Sequence, residues 1–155
     1  MKYLLVFLIS MVPLIELRGA IPVALGMGLD PVASYVICVL ANMLPVPIIY
    51  FFARKVLIWG KDKKYIGKFF TFCLEKGERA GQKMVKAAGR GGLFVALMLF
   101  VGIPLPGTGA WTGTLGASFL NMGFKSTVLS VSLGVIIAGI IMAVGSTGVF
   151  SMIGL

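Results

Sequence analysis

The chain is divided into uncharged apolar stretches whose lengths limit what it can fold into. Residues 32–53 and residues 126–148 carry no charged side chain and are each long enough for one membrane-crossing helix, which needs about 20 residues. Only 12% of the 155 residues are charged, too few to cover a soluble domain of this size. We therefore predict an all-α integral membrane protein with two full transmembrane helices.

Two further apolar regions do not fit a simple crossing. Residues 3–29 form two runs of about thirteen residues on either side of Glu16 and Arg18, and each run gives only about 20 Å of helix. Residues 91–124 are too long for one crossing and too short for two, and Pro and Gly interrupt them at the centre. We predict that each region is a re-entrant helical hairpin, with ordinary kinked spans as the alternative.

The predicted elements repeat as hairpin then span, on both sides of a basic connector. With each hairpin returning to the side that it entered, the second half is an inverted repeat of the first, as in many transporters. Lys2 and Asp30 then share one face, and Lys125 lies with the connector. We predict a single membrane domain, 1–155, in three parts: first hairpin and span 1–53, basic connector 54–90, second hairpin and span 91–155.

The connector holds most of the positive charge. Eleven of the fourteen Lys and Arg residues fall between Arg54 and Arg90, and this bias marks the cytoplasmic side of a membrane protein. A helical period runs through its apolar residues, which predicts an amphipathic helix resting in the cytoplasmic interface. The residues that share this period are Ile66, Phe69, Phe70, Cys73 and Leu74. Glycines at 77, 81 and 89 predict that the helix is interrupted before the second hairpin.

The residue inventory excludes most catalytic chemistry. The sequence has no histidine, five carboxylates and two separated cysteines, Cys38 and Cys73, so it lacks both a zinc ligand set and a His-dependent nucleophile. We expect no enzymatic activity, no metal and no cofactor. The basic charge accompanies no nucleic-acid-binding motif, so we expect no nucleic-acid partner. The apolar N-terminus lacks a good cleavage pattern, and we expect it to be retained.

Glu16 and Arg18 are charged residues placed between two apolar runs. A charge at bilayer depth costs about 3 kcal/mol on insertion scales, so an ionisable residue there is a candidate for function. At an unwound turn the two side chains can converge on one cavity. Glu16 is then a counter-charge for the substrate or a proton-binding carboxylate, and Arg18 a partner for a phosphate. The alternative is a structural ion pair that holds the turn.

The second hairpin presents backbone groups where the first presents charges. Its prolines and glycines leave amides and carbonyls free of helical bonding, and helix ends that meet at the midplane can bind ions. We predict substrate binding by Pro104, Pro106, Gly107, Thr108, Gly109, Trp111 and Thr112. For Trp111 the alternative is simple packing.

The predicted spans contain one further candidate site residue and one packing motif. Asn42 lies just before Pro45, which should kink the helix, and it serves either the substrate or the backbone groups that the kink frees. Ser130, Gly134 and Ala138 repeat every four residues, a pattern that permits close helix packing within the subunit or across a homodimer.

Two segments resemble motifs of a known family. Residues 16–22, ELRGAIP, and residues 103–113, IPLPGTGAWTG, are similar to the signatures of the small multidrug export protein family. That family is distantly similar to the DedA/VTT (SNARE-associated) superfamily, in which two re-entrant hairpins of opposed orientation are expected. The resemblance implies a transporter of the prokaryotic cytoplasmic (inner) membrane whose site, at the hairpin tips, includes Pro22.

The resemblance also suggests a substrate. Some DedA-like members are implicated in flipping undecaprenyl phosphate, which favours a DedA-like transporter or flippase for a lipid-carrier phosphate, with proton coupling as an option. One alternative is an exporter of lipophilic cationic drugs, and another is a non-transport, membrane-organising protein. The expected partners are membrane lipids, a small amphiphilic or lipid substrate and a second copy of the chain.

Overall fold

A computed structural model describes residues 1–88, 92–105 and 107–154, and the regular structure of these residues is entirely helical. A π-helical segment, Ile49–Ala53, lies between the helices Val46–Ile48 and Arg54–Gly60. The helices are α1 (Lys2–Met11), α2 (Glu16–Gly26), α3 (Pro31–Met43), α4 (Val46–Ile48), α5 (Arg54–Gly60), α6 (Gly67–Ala88), α7 (Leu93–Gly102), α8 (Ala110–Phe119) and α9 (Phe124–Ile153).

Two helical stretches are long and apolar enough to cross a membrane, as the sequence predicts. Pro31–Ala53 has 23 residues with a mean hydropathy of 2.2, and Phe124–Ile153 has 30 residues with a mean hydropathy of 2.5. The first begins at a capped end, because the Asp30 Oδ2 accepts a hydrogen bond of 2.7 Å from the Ala33 amide. It is interrupted at Pro45, where the missing amide hydrogen breaks the helical ladder.

Each region that is unsuited to a simple crossing folds as a pair of short helices. In the first pair, α1 packs against α2 across a turn at residues 12–15. The Lys2 Nζ donates a 3.2 Å hydrogen bond to the Met27 carbonyl, so the outer ends of this pair lie side by side. In the second pair, α7 and α8 are separated by residues 103–109. Proline and glycine end α7 at the position that the sequence predicts.

The main core lies where both pairs meet the long helices. Leu17 and Ile21 of α2, Leu97 of α7 and Val131 of α9 are almost fully buried in one cluster. Gly134 allows α9 to approach α7 closely, since a Cβ at this position would lie 2.7 Å from the Met98 carbonyl oxygen. The small-residue face of α9 is therefore packed within the chain.

Helix α6 differs from the prediction. It runs unbroken from Gly67 to Ala88, so the predicted interruption at Gly77 and Gly81 is wrong, while Gly89 lies outside the described residues. Both glycines face α8, where a Cβ on Gly116 would lie 3.0 Å from the Gly81 amide nitrogen. A glycine weakens a helix mildly but permits close packing, and packing decides here.

Part of the apolar face of α6 packs against other helices, and the rest of it is exposed. Phe70, Cys73 and Leu74 pack around Ile49, Leu57 and Leu115 in a second, smaller cluster. Phe69 remains 61% exposed, and Ile66 lies before the helix begins and is also exposed. The helix thus rests on α8 and α5 along one side and leaves an aromatic and basic side uncovered.

Candidate functional site

The Glu16 carboxylate lies against the N-terminus of α8. The side chain is only 4% exposed, and its two oxygens accept hydrogen bonds from the amides of Ala110, at 3.2 Å, and Trp111, at 3.1 Å. These amides belong to the first turn of α8 and have no helical partner. A negative charge at a helix N-terminus is also favoured by the helix dipole. Glu16 therefore caps a helix that lies 94 residues further along the chain.

Gly109 makes this cap possible. A Cβ on Gly109 would lie 2.4 Å from the Glu16 Oε2, too close for any side chain. Its φ of 146° with ψ of −177° lies in a region that is essentially restricted to glycine. Glu16 itself has a positive φ of 53°, so both sides of the contact adopt unusual backbone conformations. Such conformations persist only where the surrounding contacts hold them.

Arg18 binds the C-terminal end of α7 and the loop that separates α7 from α8. Its Nη1 donates to the Leu105 and Thr108 carbonyls, both at 2.6 Å. Its Nη2 donates to the Val101 and Ile103 carbonyls, at 3.2 and 3.3 Å. These carbonyls belong to the end of α7 and to the loop after it, where a cation complements the helix dipole. The planar guanidinium can reach all four because its donors form a rigid fork.

Together these contacts bring the turns of both helix pairs to one place. Within the described part of the chain, no salt bridge joins Glu16 to Arg18, so the alternative of a direct ion pair is not formed, although the two charges still attract each other. Each side chain instead binds the backbone of the other pair. The negative end of α7 faces a cation and the positive end of α8 faces an anion.

The other predicted site residues take different positions. Asn42 is 1% exposed and interacts with the Glu16 carboxylate, while its Oδ1 accepts no hydrogen bond from any described residue. The Thr108 hydroxyl donates to the Leu105 carbonyl at 2.8 Å. Trp111 donates from Nε1 to the Met11 carbonyl at 3.2 Å, which ties α8 to the end of α1.

The predicted prolines and Gly107 shape the backbone. Pro22 lies inside α2, where it has no amide hydrogen to donate to the Arg18 carbonyl. Pro104 is half-buried in the loop whose carbonyls bind Arg18. Gly107 has a φ of 81°, a left-handed conformation that favours glycine. Pro106 lies outside the described residues.

An apolar cavity of about 520 Å³ opens beside the turn between α1 and α2, residues 12–15, and the start of α8. This turn is called the first turn below, and the loop between α7 and α8 the second turn. Its walls come from the first turn, the π-helical segment, α5, α6 and α8, and include Trp111 and Thr112. Its size is typical of a site for one small molecule. Neither Glu16 nor Arg18 is among the residues that line it.

Lys76 is the one charged side chain among the described residues that line this cavity. A Cβ placed on Gly107 would lie 3.5 Å from the Lys76 Nζ, so the ammonium group lies beside the second turn, between α7 and α8. No described carboxylate forms a salt bridge with it. Lys76 is not among the site residues predicted from the sequence, although it follows Phe69 by seven residues and Cys73 by three, which places it on the same helical face.

Comparison with known proteins identifies the family. Residues 16–141 match the family model described as "Putative small multi-drug export protein". This description names an export protein, which implies a transporter rather than an enzyme, and the two apolar helices agree with a membrane location. Neither the curated proteins nor the solved structures contain a significant match. Since the match covers well over half of the sequence, the chain belongs to the small multidrug export protein family.

Proposed function

We propose that this protein is a membrane exporter that carries one amphiphilic molecule at a time in the apolar cavity. The cavity carries this proposal. Its wall is almost entirely apolar and includes one positively charged side chain, Lys76, among the described residues. The first turn lines it, and the second turn lies beside Lys76. Ligand sites of this kind combine a large apolar surface with a few placed polar groups. The export function named by the family description supports the same reading.

In this proposal both helix pairs are re-entrant hairpins. Helices of 10 or 11 residues, such as α1 and α2, reach only about 15 Å, half the thickness of the hydrocarbon layer. The contacts from Glu16 and Arg18 to the second turn support two hairpins that enter from opposite faces and meet near the midplane. The two halves then form an inverted repeat, with the basic connector on the cytoplasmic side of a prokaryotic inner membrane.

Two substrate classes remain within this proposal. The family description favours export of drugs, among which lipophilic cations are one class. A DedA-like flippase for a lipid-carrier phosphate would instead require a cation at the site. Arg18 is occupied by four carbonyls, so Lys76 is the cation that supports the second class.

Proton coupling would depend on Glu16. Protonation of its carboxylate would remove the charge that caps α8 and weaken the contact between the two hairpins. This gives a proton a means of changing how the turns meet, which an exporter needs for alternating access. A Glu16→Gln variant that transports equally well at every pH would refute this part of the proposal.

The test is transport in proteoliposomes with two substrates, tetraphenylphosphonium as a lipophilic cation and a fluorescent long-chain lipid phosphate. Ala53→Trp adds a large side chain to the cavity wall and should abolish transport of whichever substrate is carried. Val144→Trp, on a surface where Val144 is 68% exposed, is the matched control and should retain transport.

The outcomes separate the alternatives. Transport of the cation alone supports drug export, and transport of the lipid phosphate that Lys76→Gln abolishes supports the flippase. If neither substrate moves while the protein changes vesicle shape, the transport proposal fails and the membrane-organising alternative replaces it.

A further inference from the structure

A second hollow lies where α5 turns back into α6. It measures about 420 Å³, and we refer to it as the lysine hollow. Its basic and polar lining residues are Lys61, Lys63, Lys64, Lys68, Thr71 and Glu75. Four cations thus surround one small, open space in a helix connection outside both apolar spans.

Two glycines hold the chain in this arrangement. A Cβ on Gly60 would overlap the Phe70 ring, and a Cβ on Gly67 would lie 2.4 Å from the Lys61 carbonyl oxygen. The connection between the helices therefore folds back tightly onto the start of α6. This close return brings the lysines that precede α6 beside Lys68 and Thr71 on its first turns.

The positive charge of the lysine hollow is not neutralised by the described residues that line it. Glu75 is its one acidic lining residue, and it forms a salt bridge of 3.6 Å with Arg79. Asp62 is exposed in the same connection but does not line the hollow. Like charges held this close repel one another, so an anion bound among them would be stabilised.

The side chains beside the hollow indicate where that anion comes from. Phe72 lines the hollow and is 50% exposed. Three further exposed aromatic residues lie at the end of α5, in the same connection or in the first turn of α6: Trp59 at 63%, Tyr65 at 93% and Phe69 at 61%. The Lys63 Nζ lies 4.6 Å from the centre of the Trp59 ring. Aromatic and basic residues occur together where a protein meets lipid head groups, because the rings enter the interface and the charges stay at its surface.

We propose that the lysine hollow binds the phosphate head group of an anionic membrane lipid, whose acyl chains lie beside the exposed aromatic side chains. Phe72 lines both the hollow and the transport cavity, but none of the four lysines of the hollow lines that cavity, and the proposal does not depend on the exporter proposal. Its ligand is a lipid of the surrounding leaflet that stays bound, and the cavity substrate is a different molecule.

The test uses the full-length protein reconstituted with brominated lipids, which quench tryptophan fluorescence on contact. A Trp111→Phe background leaves Trp59 as the reporter, since the chain has two tryptophans. Brominated phosphatidylglycerol should be enriched around Trp59 at least about fivefold over brominated phosphatidylcholine, because each lysine near the head group contributes about 1 kcal/mol. The triple variant Lys61→Gln, Lys64→Gln, Lys68→Gln should lose most of this enrichment while leaving Lys63 beside the reporter.

A second triple variant separates a site from general charge. Lys83→Gln, Lys86→Gln, Lys125→Gln removes the same charge from exposed positions elsewhere and should keep the enrichment. An equal loss in both triples, or equal quenching by both lipids in the parent, would overturn the proposal. Native mass spectrometry of the unmodified protein, which should retain phosphatidylglycerol over phosphatidylcholine, gives the same answer if the background variant misfolds.

A final arm distinguishes a lipid from a free phosphate. Glycerol 3-phosphate should displace the bound lipid no more than sodium chloride of equal ionic strength, because it has no acyl chains to contact the aromatic residues. Specific displacement by glycerol 3-phosphate would show a site for soluble anions and would overturn the assignment to a lipid.

Discussion

Glu16 and Arg18 are buried or half-buried charges that find their partners in backbone groups. Each hydrogen bond to a charged group contributes about 1.5–3 kcal/mol, and removing one partner leaves the other unsatisfied. In an apolar environment this penalty is large, because no water replaces the lost contact. The two side chains therefore hold the turns together even if they also serve a substrate or a proton.

Gly109→Ala should destabilise the protein strongly. The new Cβ would lie 2.4 Å from the Glu16 Oε2 and would require a backbone conformation that alanine rarely adopts. We expect a loss of about 2–4 kcal/mol in the free energy of unfolding, measured by circular dichroism in detergent. Gly145→Ala, where no atom lies within 4 Å of the added Cβ, should be neutral. Equal stability of the two variants would contradict the proposed role of Gly109.

Arg18→Lys should also destabilise the protein, although it preserves the charge. One ammonium group cannot reproduce the four contacts to the carbonyls of residues 101, 103, 105 and 108, so some carbonyls lose their donor. We expect about 1–3 kcal/mol in the same unfolding experiment. Arg79→Lys, at a mostly exposed salt bridge, should change little. A harmless Arg18→Lys would mean that charge alone matters.

Among the helices, the contact between α6 and α8 joins the connector to the second pair. Gly77, Gly81 and Gly116 bring the two backbones close together, so the connector is a structural part of the bundle. The same contact places Lys76 at the cavity and leaves Lys68 on the uncovered side.

Gly116→Ala should separate these helices. The added Cβ would lie 2.8 Å from the Met84 Cε and 3.0 Å from the Gly81 amide nitrogen. Overpacking of this kind costs about 1–3 kcal/mol, which thermal unfolding in detergent would measure. Gly148→Ala, on an open helix surface, is the control. The packing argument is wrong if Gly116→Ala melts at the wild-type temperature.

The Cys73 thiol gives a pH-dependent readout of Lys76. Burial raises the pKa of Cys73, and the positive charge of Lys76 opposes this shift. Lys76→Gln removes the opposing charge, so the pKa should rise further and the thiolate fraction should fall. Alkylation by N-ethylmaleimide near neutral pH should slow by about two- to fivefold, with the rate profile displaced to higher pH.

Mass spectrometry can follow this reaction at a single site, because Cys38 is fully buried. Lys83→Gln is the matched control, since it removes an exposed lysine of α6 that does not line the cavity. An unchanged rate in Lys76→Gln would place the ammonium group away from Cys73 and from the cavity.

For the molecule as a whole, the two-hairpin topology makes a specific prediction about sidedness. The ends of the first pair should lie outside the cell, while the connector and the end of the second pair lie inside. Cysteines added one at a time to a Cys73→Ser background, in which the remaining Cys38 is fully buried, test this with a membrane-impermeant maleimide. Lys2→Cys and Val32→Cys should react in intact cells, and Lys64→Cys and Lys125→Cys only after permeabilisation. Ordinary kinked spans would instead place residues 2 and 32 on opposite sides.

Features that depend on local chemistry could be predicted from the sequence. The lengths of the apolar runs predict both long helices, and the Pro- and Gly-rich segment predicts where α7 ends. The motifs at residues 16–22 and 103–113 also predict the family, which the family model over residues 16–141 confirms. These signals are readable because hydropathy, helix breaking and charge bias act over a few neighbouring residues.

Contacts between groups far apart in the sequence could not be predicted in this way, because they depend on how the helices pack. Glu16 and Arg18 bind carbonyls and amides that lie 83 to 95 residues away, so no local pattern could show that they cap two different helices. Gly77 and Gly81 favour an interruption by propensity, yet α8 packs against them and α6 continues. Nothing in the sequence distinguishes Lys76 from the other lysines of the connector. It lines the cavity because residues from distant parts of the chain pack beside its face of α6.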